Sequence, residues 1–274
     1  DVLDVAKKYL TPTNCTIIVV GNEEILGRLK QFDTDGNITT LDAFGQEVKE
    51  ILPADISKEE LISKYISAVT LTSSTKALAK KMKKGKSLEE VMDLTMDQVP
   101  FPLKSTRVWI SPNSEGQKME GQGMVFQKSF FDGTTGGSSS MQGGKTELSA
   151  EEIAAKNKTV GLFPEMNYAT SGITYELLGI EKKDGKDCYV LKTNDGKAET
   201  YDYFDKGTFH KVASTSIVKD GEEVNETSMT YSDFKEQDGL IFPYTMNISM
   251  GPANFAVTVT SRTVNAKVDL GTYK

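Results

Sequence analysis

The side chains that most often carry out catalysis are scarce in this sequence of 274 residues. It contains one histidine, His210, and two cysteines, Cys15 and Cys188. Zinc sites built from several histidines or cysteines are therefore excluded. As a catalytic base, His210 would need a nucleophile and an orienting acid, and its sequence neighbours indicate only a turn followed by a strand. We predict that His210 is exposed on a strand, that both cysteines are small core residues, and that this chain is not an enzyme.

Two further segments match chemical motifs incompletely. Residues 137–140, Gly-Ser-Ser-Ser, lack the last glycine of a nucleophile elbow. Residues 33–37, Asp-Thr-Asp-Gly-Asn, are not followed by the glycine and glutamate that a calcium loop needs at its sixth and twelfth positions. We predict a flexible loop and a solvated turn. The sequence thus indicates no catalytic residue, no metal ligand and no cofactor, and it does not identify ligand-binding residues.

Net charge and hydropathy disfavour two further kinds of partner, nucleic acid and the membrane interior. With 32 basic and 39 acidic residues the formal charge is −7, which disfavours nucleic acid because phosphate binding needs a basic face. No apolar run approaches the roughly 18 residues of a membrane-spanning helix. A basic segment, residues 76–86, could contact an anionic membrane through Lys76, Lys80, Lys83 and Lys84. We favour instead a core-packed helix with a solvated outer face.

The elements change character along the chain. In residues 1–50, helical spacing at residues 1–10 and again at residues 23–32 predicts two helices. Between them lies a β-branched run, Thr16–Val20, that is typical of a strand buried on both faces. Residues 51–55 contain a proline and mark a boundary. Ser57 then precedes a helix whose apolar positions share one stripe: Leu61, Ile62, Tyr65, Ile66 and Val69.

From about residue 106 the spacing becomes that of strands. Four Asp-Gly pairs, typical of hairpin turns, begin at residues 184, 195, 220 and 238. They help to separate seven predicted strands: 173–180, 188–193, 199–204, 212–219, 226–234, 244–250 and 255–264. The fold class we predict is α+β, mainly β: an antiparallel half-barrel sheet with helices on its concave face, preceded by a short α/β tail segment.

Such a curved sheet can leave an apolar cavity under its helices. Many mid-sheet positions are aromatic or methionine: Trp109, Phe126, Tyr189, Tyr203, Met229, Tyr231, Phe242 and Met246. These side chains either line a cavity or fill the core, and the residues alone favour the filled core.

The first 50 residues resemble a known family. Residues 4–21 read Asp-Val-Ala-Lys-Lys-Tyr-Leu-x-Pro-x-Asn-x-Thr-Ile-Ile-Val-Val-Gly, and residues 42–45 read Asp-Ala-Phe-Gly. This pattern resembles the last segment of the insulinase/pitrilysin family of zinc peptidases. The resemblance implies the end of a repeat whose zinc motif lies earlier, so no catalytic residue maps to this chain. Because the chain starts at Asp1 without a secretory leader, we expect a processed product or a fragment.

The remainder resembles a domain fused after such peptidases in Bacteroidetes-type proteins, similar to the lipoprotein-carrier (LolA/LolB-like) fold. Residues 70–72, Thr-Leu-Thr, depart from the Gly-Gly that this family usually has after its first helix. The resemblance implies an incomplete β-barrel closed by helices, often holding acyl chains, in the periplasm or at the outer membrane. It is carried by residues 61–68, 162–165, 176–181, 185–191, 203–205, 231–234 and 238–243.

Together these patterns predict three parts: residues 1–50, a truncated insulinase-family C-terminal segment; residues 51–55, a linker; and residues 56–274, a LolA-like half-barrel domain. We expect a non-catalytic, exported domain, periplasmic or associated with the outer membrane, that binds a lipid or acyl ligand in its cavity. The alternative is an interaction or scaffold module that docks on the missing peptidase domains or positions their substrate.

Overall fold

The computed structural model describes residues 17–21, 25–32, 38–41, 51–72, 75–97, 99–221 and 223–274. The chain divides into two compact units, residues 1–50 and residues 51–274.

In the first unit the described residues form one short helix, α1, Leu26–Leu29. It lies within the helix predicted after Gly21. Residues 17–20, predicted as a buried strand, have no regular secondary structure, and Ile18 and Val20 are 83% and 97% exposed. That prediction was wrong for these four residues, since the described part of the unit provides no strand to pair with them. The predicted helix at residues 1–10 and the turn at 33–37 lie outside the described residues.

The second unit is built on a single antiparallel sheet of 13 strands. Their order in space is β6-β5-β4-β3-β2-β1-β13-β12-β11-β10-β9-β8-β7, so two meanders meet where β1 pairs with β13. The strands are β1 Ser87–Met96, β2 Val99–Ile110, β3 Ser114–Gly121, β4 Met124–Phe131, β5 Gly136–Ser140, β6 Gly144–Glu147, β7 Thr174–Lys183, β8 Lys186–Asn194, β9 Ala198–Asp205, β10 Lys211–Asp220, β11 Glu223–Gln237, β12 Leu240–Met250 and β13 Ala253–Val264.

The seven predicted strands of the C-terminal meander are confirmed as β7 to β13. At Asp184-Gly185 and Asp238-Gly239 both residues have positive φ, as the two-residue hairpin turns that match strand twist require. The mainly β, antiparallel fold class is confirmed as well.

The N-terminal meander differs from the prediction in two places. Strand β1 and the start of β2 precede residue 106, and β1 is rich in Leu, Glu and Met, which favour helices. Residues 137–140, predicted as a flexible loop, lie within β5 and pair with β6, where the hydroxyls of Ser138 and Thr146 are 2.8 Å apart. Pairing with neighbouring strands decides the conformation of both segments.

Most of the helices pack on one face of the sheet. They are α2 Lys58–Thr70, α3 Thr75–Lys84, α4 Ala150–Thr159, α5 Tyr168–Ser171 and the 3-10 helix Pro164–Asn167. A second 3-10 helix, Leu270–Tyr273, packs on the opposite face, where Tyr273 lies over Gly116. The hydroxyl of Ser57 accepts the backbone N–H of Glu60 at 3.1 Å and caps α2. Leu61 and Tyr65 of α2 are buried in the main core, where the Tyr65 ring meets Phe204 edge-on at 5.1 Å. No helix among the described residues is long and apolar enough to cross a membrane.

Residues 51–55 contact the sheet of the second unit. Leu52 forms a two-hydrogen-bond bridge with Ile180 of β7. The hydroxyl of Tyr189 donates to Asp55 at 2.6 Å. A Cβ atom at Gly179, whose φ is +148°, would collide with the carbonyl oxygen of Leu52, so a glycine at this position permits the close approach.

The end of α2 offers a stability prediction. Leu71 caps this helix with φ of 51°, in the left-handed region, and its side chain is 53% exposed. Since a non-glycine residue is strained in that region and Leu71 buries little surface, Leu71→Gly should raise the free energy of unfolding by about 0.5–1 kcal/mol. Urea denaturation measures the change. Leu71→Ala keeps the Cβ atom and should give no comparable gain; an equal gain from both variants would contradict the prediction.

Candidate functional site

A cavity of about 510 Å³ lies on the helix-covered face of the sheet. Strands β1, β2, β3 and β10 to β13 provide one side of it, and the chain after α4, residues 161–165, provides another. Tyr65 and Val69 of α2 complete the wall. The volume falls within the roughly 300–1,000 Å³ of small-molecule sites. The sheet face is therefore not completely filled by its own side chains.

Two groups of apolar side chains line this cavity. The first belongs to the main core and includes Leu88, Phe163 and Phe242, with the two phenylalanine rings stacked 6.0 Å apart. The second lies further along β1 and β13 and includes Met92 and Val257. Leu88 and Met92 are four residues apart on one strand and so face the same side of the sheet. The cavity thus has an apolar region at each end.

A row of charged side chains crosses the sheet between the two apolar groups. Glu90 of β1 pairs in register with Arg262 of β13 on one side and with Arg107 of β2 on the other. Gln117 of β3 stands opposite Arg107 and extends the row. All four residues line the cavity. Its wall is therefore less apolar than the sequence analysis predicted.

Arg262 is the most deeply buried member of this row, with a side chain only 2% exposed. Its Nε donates to Glu90 Oε1 at 2.7 Å, and its Nη2 donates to the carbonyl oxygen of Pro243 at 3.0 Å. The guanidinium carbon lies 4.5 Å and 4.6 Å from the ring centroids of Phe242 and Tyr244, which is cation–π distance. These contacts fix the guanidinium, yet its Nη1 is buried without a hydrogen-bond partner.

Trp109 provides a second unpartnered donor in the cavity wall. Its indole Nε1 is buried and has no hydrogen-bond partner. Leaving a buried N–H without an acceptor costs about 1–3 kcal/mol, and such groups are uncommon in folded proteins. Two residues of the cavity wall, Arg262 and Trp109, therefore each bury a donor that has no acceptor among the described residues.

A second buried charge cluster ties the segment 161–165 to the sheet. Lys211 Nζ lies 2.5 Å from Glu165 Oε1 and 3.5 Å from Asp202 Oδ2, and both carboxylates are almost fully buried. Burial alone would lower the pKa of Lys211, but Asp202 and Glu165 outweigh that effect and hold it well above its ordinary value. Burial raises the pKa of Asp202. The cluster keeps Glu165 and its neighbours at the cavity wall.

The charged groups of the cavity wall balance each other. Three basic and three acidic side chains line it. Each base has an acidic partner in the wall: Arg262 has Glu90, Arg107 has Glu115, and Lys211 has Glu165. Outside the wall, Lys211 also contacts Asp202 and Glu115 also contacts Lys156. The wall therefore has no net formal charge.

The aromatic and methionine residues singled out from the sequence divide between the cavity and the core. Five of the eight line the cavity: Trp109, Met229, Tyr231, Phe242 and Met246. The remaining three pack elsewhere: Phe126 beside Phe101, Tyr189 in the main core and Tyr203 in a separate cluster around Cys188. The charged residues of the wall were not identified. Glu90 stands at an inward position between Leu88 and Met92, and that pattern could have revealed it. Arg262 is out of step with Val257 and Val259, because a bulge in β13 separates them, so alternation along the sequence does not reveal it.

Neither His210 nor Cys188 lines the cavity. His210 is half-buried with its ring 4.6 Å from that of Phe234, so the predicted exposed position was wrong, and burial lowers its pKa. Cys188 is fully buried, which raises its thiol pKa to about 11. Cys15 lies outside the described residues. Within the described ranges, no three His, Cys, Asp or Glu side chains are grouped as a metal site would require.

The basic segment forms helix α3 in the part of the chain that the structure describes. Lys80 and Lys84 are exposed, whereas the side chains of Lys76 and Lys83 lie outside the described residues. Leu78 packs against the main core. Lys81 Nζ donates to the carbonyl oxygens of Thr70 and Gly239 at 2.5 Å each. These contacts agree with a helix packed on the core with a solvated outer face.

Comparison with solved structures identifies the architecture. A LolA superfamily protein from Nitrosomonas europaea matches with a TM-score of 0.53 at 10% sequence identity, covering 80% of this chain and 98% of that one. This chain contains the LolA-type fold. A DUF1329 family protein from Desulfovibrio piger matches with a TM-score of 0.50 at 12% identity, covering 79% and 96% of the two chains.

Comparison at the level of sequence adds nothing to this assignment of the fold. No protein-family model and no curated protein matches the sequence. At 10–12% identity the structural likeness establishes the LolA-type fold alone. The resemblance of residues 1–50 to insulinase-family peptidases therefore stays a prediction.

Proposed function

We propose that residues 51–274 bind an apolar, lipid-like ligand in the cavity between the LolA-type sheet and the segment 161–165. The observation that carries the proposal is a cavity of about 510 Å³ with an apolar group of side chains at each end. Burying a ligand methylene against such side chains contributes about 0.8 kcal/mol. A chain of eight to ten carbons would thus gain several kcal/mol before the entropy of association is subtracted.

The chain contains its own reporter for this binding. Trp109 is the single tryptophan of the sequence and lines the cavity. Its emission should shift to shorter wavelength when a short-chain lipid displaces water around the indole. Native mass spectrometry of gently purified protein should also show a bound species, which extraction with organic solvent then identifies. Protein without bound lipid and with an emission insensitive to every short-chain lipid tested would contradict the proposal.

Filling the cavity should weaken this binding. Val257 is 3% exposed, belongs to the second apolar group and lines the cavity. Val257→Phe should reduce the affinity for a ten-carbon lipid at least tenfold, because the larger ring occupies ligand volume. Fluorescence titration measures the affinity, and circular dichroism checks the fold. Val224→Phe makes the same change at a 62% exposed position of β11 and should leave the affinity unchanged; equal effects of both variants would argue against the cavity as the binding site.

We also propose that the protein acts outside the cytoplasm, in the periplasm or at the outer membrane, and that residues 1–50 continue from insulinase-family peptidase domains. The LolA-type fold supports the location, and the pattern of residues 4–21 supports the peptidase context. Cell fractionation with an antibody against this chain tests the first point. Sequencing the full reading frame tests the second, and a frame without a preceding peptidase repeat would overturn it.

A further inference from the structure

We propose that two copies of this chain pair through strand β6, antiparallel and about a two-fold axis at Thr146, so that their sheets join into one. Strand β6, Gly144–Glu147, is the last strand at one end of the sheet, and all four of its residues are exposed. None of them lines the ligand cavity. An edge strand with free backbone groups is a surface to which another strand can add.

The other edge of the sheet, strand β7, is covered by its own chain. Leu52 forms two backbone hydrogen bonds with Ile180, and Lys58 Nζ donates to the carbonyl oxygen of Tyr175 at 3.2 Å. Among the described residues, no strand or bridge covers the outer side of β6 in this way. Pairing between copies is therefore expected at β6 and not at β7.

The hydrogen bonds between β5 and β6 show which backbone groups of β6 face outward. The N–H of Leu148 donates to the carbonyl oxygen of Gly136 at 2.9 Å, and the register of the two strands continues from this pair. Along an antiparallel strand, residues that hydrogen-bond to one neighbour alternate with residues that face the other side. The backbone of Thr146 therefore faces β5, and the N–H and C=O groups of Lys145 and Glu147 face the free edge.

The charges of β6 fit a second copy of the same strand in one register. When two β6 strands pair about Thr146, Lys145 of each copy lies opposite Glu147 of the other, because a two-fold interface is self-complementary. The outward backbone groups of both residues then bond across the junction, and opposite charges stand side by side. A lysine usually protects an edge strand from pairing, but here a glutamate faces it. Centring the pairing on Lys145 or on Glu147 would put like charges opposite each other, which is unfavourable.

Charge-reversal variants test the dimer and its register. The paired segment is short, and small interfaces are typical of weak complexes, so we expect a dissociation constant on the order of 100 µM in sedimentation velocity. Lys145→Glu and Glu147→Lys each put like charges opposite each other and should lower the association constant at least tenfold. An equimolar mixture of these two variants brings glutamates of one copy opposite lysines of the other, and should form a mixed dimer about as stable as the unmodified one.

The control for these variants changes the net charge equally at another exposed position. Lys219→Glu, on β10, should leave the association constant unchanged, and circular dichroism checks the fold of every variant. An unmodified protein that stays monomeric at millimolar concentration would overturn the proposal. A dimer that persists in both Lys145→Glu and Glu147→Lys would overturn it as well, and so would a mixture of the two that stays monomeric.

A disulfide traps the same register. The axis places the two copies of Thr146 opposite each other as a non-hydrogen-bonded pair, about 4.5 Å apart between Cα atoms, which a disulfide can span. In a Cys15→Ser background, Thr146→Cys should therefore form a linked dimer on mild oxidation at high protein concentration; Cys188 is fully buried. Lys145→Cys is the matched control, because its two copies are offset along the strands and lie more than about 8 Å apart, beyond the reach of a disulfide. Equal cross-linking of both variants, or none of Thr146→Cys, would overturn the proposal.

Discussion

Replacing Lys211 with methionine should lower the free energy of unfolding by about 3–5 kcal/mol, because it leaves two buried carboxylates without their cation. Glu165 and Asp202 are 2% and 3% exposed, and Lys211 Nζ lies 2.5 Å and 3.5 Å from them. Methionine has nearly the volume of lysine, so the loss reflects charge and not a void. Urea denaturation at pH 7 measures it.

The same variant should recover stability in acid. Burial raises the pKa of Asp202 in the folded protein even with Lys211 present, and the loss of that cation raises it further. A carboxyl group whose pKa is higher in the folded than in the unfolded protein binds its proton more tightly in the folded state. Its ionisation therefore lowers the free energy of unfolding at neutral pH, and this destabilisation disappears as the pH falls towards the ordinary pKa of the unfolded chain. The difference in unfolding free energy between Lys211→Met and the unmodified protein should therefore shrink between pH 7 and pH 4.

An exposed lysine provides the control for both measurements. Lys235 pairs with Asp233 at 2.7 Å, and both side chains are about half exposed. Lys235→Met should change the free energy of unfolding by less than about 1 kcal/mol at every pH, since exposed ion pairs contribute little. If Lys211→Met were no more destabilising than Lys235→Met, the buried cluster would not be ionised as the geometry implies.

Arg262→Met should also cost about 3–5 kcal/mol of unfolding free energy, and the second substitution Glu90→Leu should restore most of it. The single change leaves the largely buried Glu90 without its partner and removes the hydrogen bond to Pro243. The double change replaces a buried ion pair with apolar side chains, which in other proteins is often neutral or stabilising. Urea denaturation of the three proteins measures both effects.

The recovery by the double variant is the decisive part of this second prediction. Arg107→Met serves as the control, because Arg107 is 55% exposed and lies 3.8 Å from Glu115; it should cost less than about 1 kcal/mol. If Glu90→Leu/Arg262→Met were as unstable as Arg262→Met alone, packing of the guanidinium between Phe242 and Tyr244, and not the ion pair, would be the stabilising feature.

Local sequence patterns were sufficient to predict much of the secondary structure of the second unit. Asp184-Gly185 and Asp238-Gly239 predict tight turns because both residues can adopt positive φ, and the strands between such turns alternate regularly. Ser57 and the stripe containing Leu61 predict helix α2, since an N-cap and a 3.6-residue period are properties of the segment itself. Each of these features depends on residues at most a few positions apart.

Features that depend on distant partners were missed. Strand β1 has the composition of a helix and becomes a strand because it pairs with β2 and, far along the chain, with β13. Residues 137–140 extend because β4 and β6 lie on either side of them. His210 is shielded because Phe234, from a different strand, covers its ring. The spacing of residues along the sequence does not show which distant segments become neighbours in the fold.

The sequence by itself thus determined the scarcity of catalytic side chains and the antiparallel meander, because these follow from composition and from local periodicity. The LolA-type fold was implied by the resemblance to a known family. Only the tertiary structure decided which residues face the cavity. Glu90 and Arg262 meet only because β1 and β13 are neighbours in the sheet, and Lys211 meets Glu165 only because the segment 161–165 folds over β10. The buried charges that define the candidate site are products of this long-range pairing.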